Sequence, residues 1–159
     1  MYVLLFAPTH IKAPLFVIWN SIIKDMINID FHLHTLITNK DCYKTDKYEF
    51  SLDFLKHKIE LCKLNAIAIT NHDIFDKNNF EEIEQFLKDK QVKIFPGMEI
   101  SFKKFHLLLI CSNTNENKEL LLKISETIKD NPDGFITIEK FETLIRTISH
   151  DSYMLIPHY

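Results

Sequence analysis

Asp30, His32 and His34 alternate with Ile29, Phe31 and Leu33, so in an extended chain the three polar side chains share one face. Two imidazoles so spaced could grip one metal ion, although the alternation also suits a half-exposed strand whose polar face meets water. A second signal is the run from Asn65 to Asp73, NAIAITNHD, where an apolar stretch ends abruptly in Thr70, Asn71, His72 and Asp73. Such a stretch reads as a buried parallel strand with polar groups at its C-terminal end, where α/β barrels place their active sites. A third is the run from Ile94 to Ser101, IFPGMEIS, in which Pro96 and Gly97 bend the chain just before Glu99. An acid between Met98 and Ile100 needs a partner if buried, whether a metal, a cap or a salt bridge. His106 opens the run HLLLIC and His158 follows MLIP. Each alone reads as a hydrogen-bonded structural histidine. With His32, His34, His72 and Glu99 they recur at the edge of one expected strand after another, which points to a metal cluster at the strand ends.

The elements that must position these residues follow from the apolar periodicity. From Met26 onward the short runs MINIDFHL, NAIAIT, VKIFPG, FHLLLIC and YMLIP alternate with helical patterns, the rhythm of β/α units around a parallel sheet. Ser51 can cap a helix carrying Leu52, Leu55, Ile59 and Leu61 or Cys62. Asn79 and Glu82 resemble a capping box opening EEIEQFLKDK, and a third helix is expected over 116–129. Thr137 is the expected cap of a fourth, where Ile138, Phe141, Leu144 or Ile145, and Ile148 recur at helical spacing after a turn of Asn131, Pro132, Asp133 and Gly134. His57, flanked by Lys56 and Lys58, reads as a solvated helix residue, and His10 and His150 as surface histidines.

Composition narrows the function. The 159 residues suit one domain, and 46% hydrophobic with 26% charged residues is ordinary for a globular chain. A formal charge of −3 offers no basic surplus for a nucleic-acid backbone beyond local patches. The only glycines, Gly97 and Gly134, exclude both a dinucleotide fingerprint and a P-loop. Cys42, Cys62 and Cys111 lack CxxC spacing and fit reduced thiols in the cytoplasm. Pro8, His10, Lys12 and Pro14 interrupt the apolar N-terminal stretches well short of the roughly 20 residues a membrane span needs. Residues 1–25 read as an N-terminal extension or accessory segment, and 26–159 as the domain proper.

Taken in order, DFHLHT, AITNHD, PGMEIS, the HLLLI run and LIPHY resemble the successive motifs of the polymerase and histidinol phosphatase (PHP) family, from residue 26 to 159. The resemblance implies a distorted (β/α)7 TIM-like barrel that binds two or three divalent Zn, Mn or Fe ions and hydrolyses phosphoesters. By it, His32, His34 and Glu99 would hold one ion, and Glu99 would bridge to a second completed by His106 and His158. His72 would serve a third, with Asp41 or, less aptly, Cys42 in the loop after the first motif. His72 or Asp41 would then assist proton transfer.

Two departures from the family pattern bear on activity. Asn71 stands where the family usually has Asp, which would weaken the orientation of His72. The closing Asp-x-His motif of the family does not occur after Asp30, so the resemblance implies a PHP barrel truncated before its last units, short of ligands for the first and third ions. The first function expected is a phosphatase or phosphodiesterase using metal-activated water on a phosphorylated small molecule or a nucleic-acid phosphodiester. The second is a non-catalytic, degenerate metal- or phosphate-binding module supporting a larger ATPase or nucleic-acid-processing protein. The wording of the last motifs is nearest to PHP domains that precede a C-terminal ATPase-like region, and no membrane partner is expected.

Overall fold

A computed structural model describes residues 27–36 and 51–158. The expectations for residues 1–25 and for Met26, His10, Asp41 and Cys42 lie outside the described residues. Among the described residues five strands form one sheet in sequence order, β1 (Ile29–Leu33), β2 (Ala66–Ile69), β3 (Lys93–Ser101), β4 (His106–Cys111) and β5 (Tyr153–His158). The sheet curls into a half-barrel. The α-helices among the described residues are α1 (Leu52–Cys62), α2 (Lys77–Phe86), α3 (Asn115–Lys129) and α4 (Ile138–Ile145). Among the described residues no helix is long and apolar enough to cross a membrane.

The sheet is mixed, which corrects the expectation of a parallel sheet throughout. β1, β2 and β3 run parallel, joined through α1 and α2. β3 and β4 pair antiparallel across residues 102–105, where the Phe102 N–H donates to the Phe105 carbonyl at 2.9 Å. A parallel return needs a crossover of about a dozen residues, so four can only turn the chain back. β5 then pairs antiparallel with β4. The curled five-strand sheet is consistent with a partial barrel.

Local chemistry sets the helix boundaries. Ser51 accepts from the Phe54 N–H, and α1 ends on Lys63 in the left-handed conformation at φ 50°. Asp76, and not Asn79, caps α2, its carboxylate accepting from the Asn79 N–H at 3.0 Å. The capping-box reading placed this start three residues late, because Asp76 and Asn79 are both competent caps and spacing alone does not separate them. Thr114 caps α3, and Thr137 caps α4 as the sequence predicts.

Alternation along the strands separates core from site. Ile67 and Ile69 of β2, Met98 and Ile100 of β3 and Leu109 of β4 are buried with Phe80, Ile83, Leu121 and Ile124 of the helices. Full burial of a side chain of this size stabilises by roughly 1.5–3 kcal/mol. Glu99, between Met98 and Ile100, consequently faces away from that core.

Gly97 is where β3 changes partner, from β2 at Pro96 to β4 at Gly97 itself. A Cβ there would stand 2.7 Å from the Leu109 carbonyl oxygen and 3.0 Å from Thr70 Cγ2. The nearest obstacle is backbone, so Gly97→Ala forces β4 away from β3. We expect it to lower stability by about 1–3 kcal/mol, measured by urea unfolding, and an unchanged midpoint would refute the close approach.

Candidate metal centre

Each strand delivers its site residue near the same end of the sheet. His32 lies on β1 and His34 just beyond it. His72 follows β2 and forms a parallel bridge with Glu99 of β3, secured by Asp73 N–H to Glu99 O at 2.8 Å and Glu99 N–H to Asn71 O at 3.1 Å. His106 and His158 are cross-strand partners at the start of β4 and the end of β5.

Five imidazoles converge on the Glu99 carboxylate, which is only 1% exposed. Its Oε2 lies 2.9 Å from His32 Nε2, 3.1 Å from His34 Nε2 and 3.3 Å from His72 Nε2. Its Oε1 lies 2.7 Å from His106 Nδ1 and 3.7 Å from His158 Nε2. The rings pack mutually, with centroids 4.4 Å apart for His32 and His158 and 4.7 Å for His34 and His72. Glu99 and His72 are the more deeply covered members, while His32, His106 and His158 reach the surface.

Burial alone would raise the pKa of Glu99, but hydrogen bonds from His32, His34 and His106, with the His72 charge beside them, hold it well below the ordinary 4.5. The site therefore keeps a buried negative charge walled by nitrogen lone pairs or N–H groups. His32 Nε2 and His34 Nε2 face each other at 2.9 Å. At most one proton fits between them, and metal–nitrogen bonds of about 2.0–2.1 Å would set neighbouring ligand atoms at a comparable separation. Two groups of donor atoms each fall within 4.8 Å, His32 with His34 and Glu99, and His72 with Glu99 and His106. The residues present therefore fit divalent ions, and Glu99 belongs to both groups.

The polar residues flanking these ligands do work that spacing did not reveal. Asp30 shares the alternation with His32 and His34, yet its carboxylate meets Lys58 of α1 at 2.9 Å and the His32 N–H at 3.2 Å. Asp73, at φ 54°, accepts from the Ser101 N–H at 2.6 Å and the Ser101 hydroxyl at 2.7 Å, tying the end of β3 to the segment after His72. The Asn71 side chain, whose departure from the family pattern bears on the orientation of His72, bonds to Thr35 and Leu36 beyond His34. The abrupt run Thr70 to Asp73 was the available signal, though it could not say which backbone each side chain reaches. His57 and His150 are exposed, the latter bonded through Nδ1 to the Tyr153 hydroxyl at 2.9 Å.

No protein-family model matches the chain, and the curated proteins contain no match. Among solved structures, it is similar to a Bifidobacterium adolescentis protein described as a candidate metal-dependent phosphoesterase, at 16% identity and a TM-score of 0.42 over 76% of this chain. The chain spans 44% of that protein's length. A likeness this slight carries no functional argument, which rests instead on the residues converging on Glu99.

Proposed function

We propose that this chain is a metal-dependent phosphoester hydrolase of PHP type. The observation that carries the reading is the division of labour at Glu99, whose Oε2 faces His32, His34 and His72 while Oε1 faces His106 and His158. A carboxylate so placed can hold two cations, one on each oxygen. His32, His34 and Glu99 would hold the first ion, and Glu99, His106 and His158 the second. When bound, paired Zn, Mn or Fe ions supply Lewis acidity toward a phosphoryl oxygen and lower the pKa of water.

The chain's own residues then orient and exchange protons. His72, whose Nε2 contacts Glu99 Oε2, stands at the join of the two groups. We assign it a third ion together with Asp41, or a proton-transferring role toward the leaving oxygen. The surface-reaching imidazoles of His32, His106 and His158 leave the cluster open to a substrate from one side. No side chain need form a covalent bond to phosphorus. The substrate is a phosphorylated small molecule or a nucleic-acid phosphodiester, met in the cytoplasm, with a C-terminal ATPase-like region in the parent protein.

The test is to load the purified chain with Mn, Zn or Fe, count bound metal by emission spectroscopy, and assay aryl phosphomonoesters and phosphodiesters with and without chelator. We expect about two ions per chain and chelator-sensitive hydrolysis. Metal without turnover on either ester class would favour the non-catalytic metal-binding module, and no bound metal would refute both.

A further inference from the structure

The main-chain pairing of β1 with β2 stops where the Thr70 N–H meets the Leu33 carbonyl at 2.8 Å. One residue later the Asn71 carbonyl accepts from the Glu99 N–H, continuing the pairing with β3. His34 lies beyond the last rung of the ladder. The segment carrying it is held instead by the Asn71 side chain. Asn71 Oδ1 accepts from the Thr35 N–H at 2.6 Å and the Leu36 N–H at 3.0 Å, and its Nδ2 donates to the Thr35 hydroxyl oxygen at 3.2 Å. That hydroxyl lies 2.6 Å from Asn79 Oδ1 in the first turn of α2. Asn71 and Thr35 are 3% and 4% exposed, so water does not readily replace either partner.

From this we infer that Asn71 is a positioning residue that sets the separation of His34 from His72, and so couples the two metal-binding groups through one buried amide. Thr35 follows His34 directly and Asn71 precedes His72 directly, so the amide hydrogen-bonds the two segments one residue from each imidazole. By proximity His34 groups with His32 and Glu99, and His72 with Glu99 and His106, so displacing His72 disturbs the surroundings of the second ion even though His72 is not one of the ligands assigned to it. A purely local cap would influence one of these groups, whereas this amide bears on both. Asn71 is in neither of the two donor groups. The inference rests on the metal reading of the site.

Cobalt(II) is the probe, because its visible absorption reports ligand number and geometry independently of catalysis. Asn71→Leu removes the acceptor of two N–H groups while keeping the branching and heavy-atom count of the side chain, and should weaken cobalt binding by about 10–100-fold at both steps of a chelator competition, with an altered spectrum. Asn71→Asp keeps an oxygen for the same two N–H groups and should restore affinity and spectrum. Asn71→Gln keeps every hydrogen-bonding group but displaces it by a methylene, so it carries the same test should the leucine variant not fold. Thr114→Ala, which removes the cap of α3 away from the site, controls for general destabilisation and should bind cobalt as the parent does.

Unchanged affinity in Asn71→Leu and Asn71→Gln, or an equal loss in Thr114→Ala, would overturn the coupling while leaving the metal reading intact. A parent chain that takes up no cobalt would overturn the metal reading, and this inference with it.

Discussion

Glu99→Gln should strip metal from both groups and lower metal-dependent hydrolysis on the order of 10³-fold or more. The substitution keeps the shape and burial of the side chain but removes its charge and turns one oxygen into an N–H2 group. Because His32, His34 and His72 contact one oxygen and His106 the other, no orientation of the amide satisfies both sides. One set of imidazoles would face a donor where a shared ligand is needed. His106→Ala makes the contrasting case, since it leaves His32, His34 and Glu99 in place. It should lose about one ion, where Glu99→Gln loses nearly all. Emission spectroscopy of the two purified variants separates these outcomes. Metal retained at the parent level in Glu99→Gln would mean that Glu99 is a hydrogen-bond acceptor for structural histidines and bridges nothing.

Why the candidate ligands could be picked out from the sequence, and their supports could not, is a question of range. His72 and Glu99 each interrupt or end an apolar run, and a polar group there is costly unless partnered, so the sequence itself raises the question of a partner. The answer at Glu99 is five imidazoles from four other strand ends, a convergence that follows once those ends lie at one edge of the sheet. Asn71 and Asp73 resemble ordinary loop residues in one dimension, because their partners Thr35 and Ser101 are fixed only by the β1–β2–β3 order. Asp30 is the reverse case, a residue that shares the histidines' alternation while its charge is taken up by Lys58 on α1. Strand direction was partly legible. Residues 102–105 are too few for a crossover, so the hairpin between β3 and β4 was implicit in the spacing of Glu99 and His106, although the apolar rhythm suggested another parallel step.

The metal-free protein should lose stability in acid more steeply than its Glu99→Gln variant, and the sign follows from the depressed pKa. Burial would push the Glu99 carboxyl up, yet hydrogen bonds from His32, His34 and His106 carry it well below 4.5 in the folded chain. Below 4.5 the unfolded chain therefore binds a proton at this position that the folded chain does not, and stability rises with pH in that range. The contribution of Glu99 is fully present above 4.5 and is lost as pH falls through the folded value. Urea unfolding of chelator-treated protein between about pH 7 and pH 3 measures it. The stability difference between parent and Glu99→Gln should shrink as pH falls below 4.5, by up to about 1.4 kcal/mol per pH unit. Carboxylates remote from Glu99 titrate alike in both proteins and cancel from the difference, while the amide has no proton to gain. A difference that stayed flat into acid would show that the imidazoles do not hold the charge, and one that widened would show that burial outweighs them, leaving a neutral carboxyl unsuited to two cations.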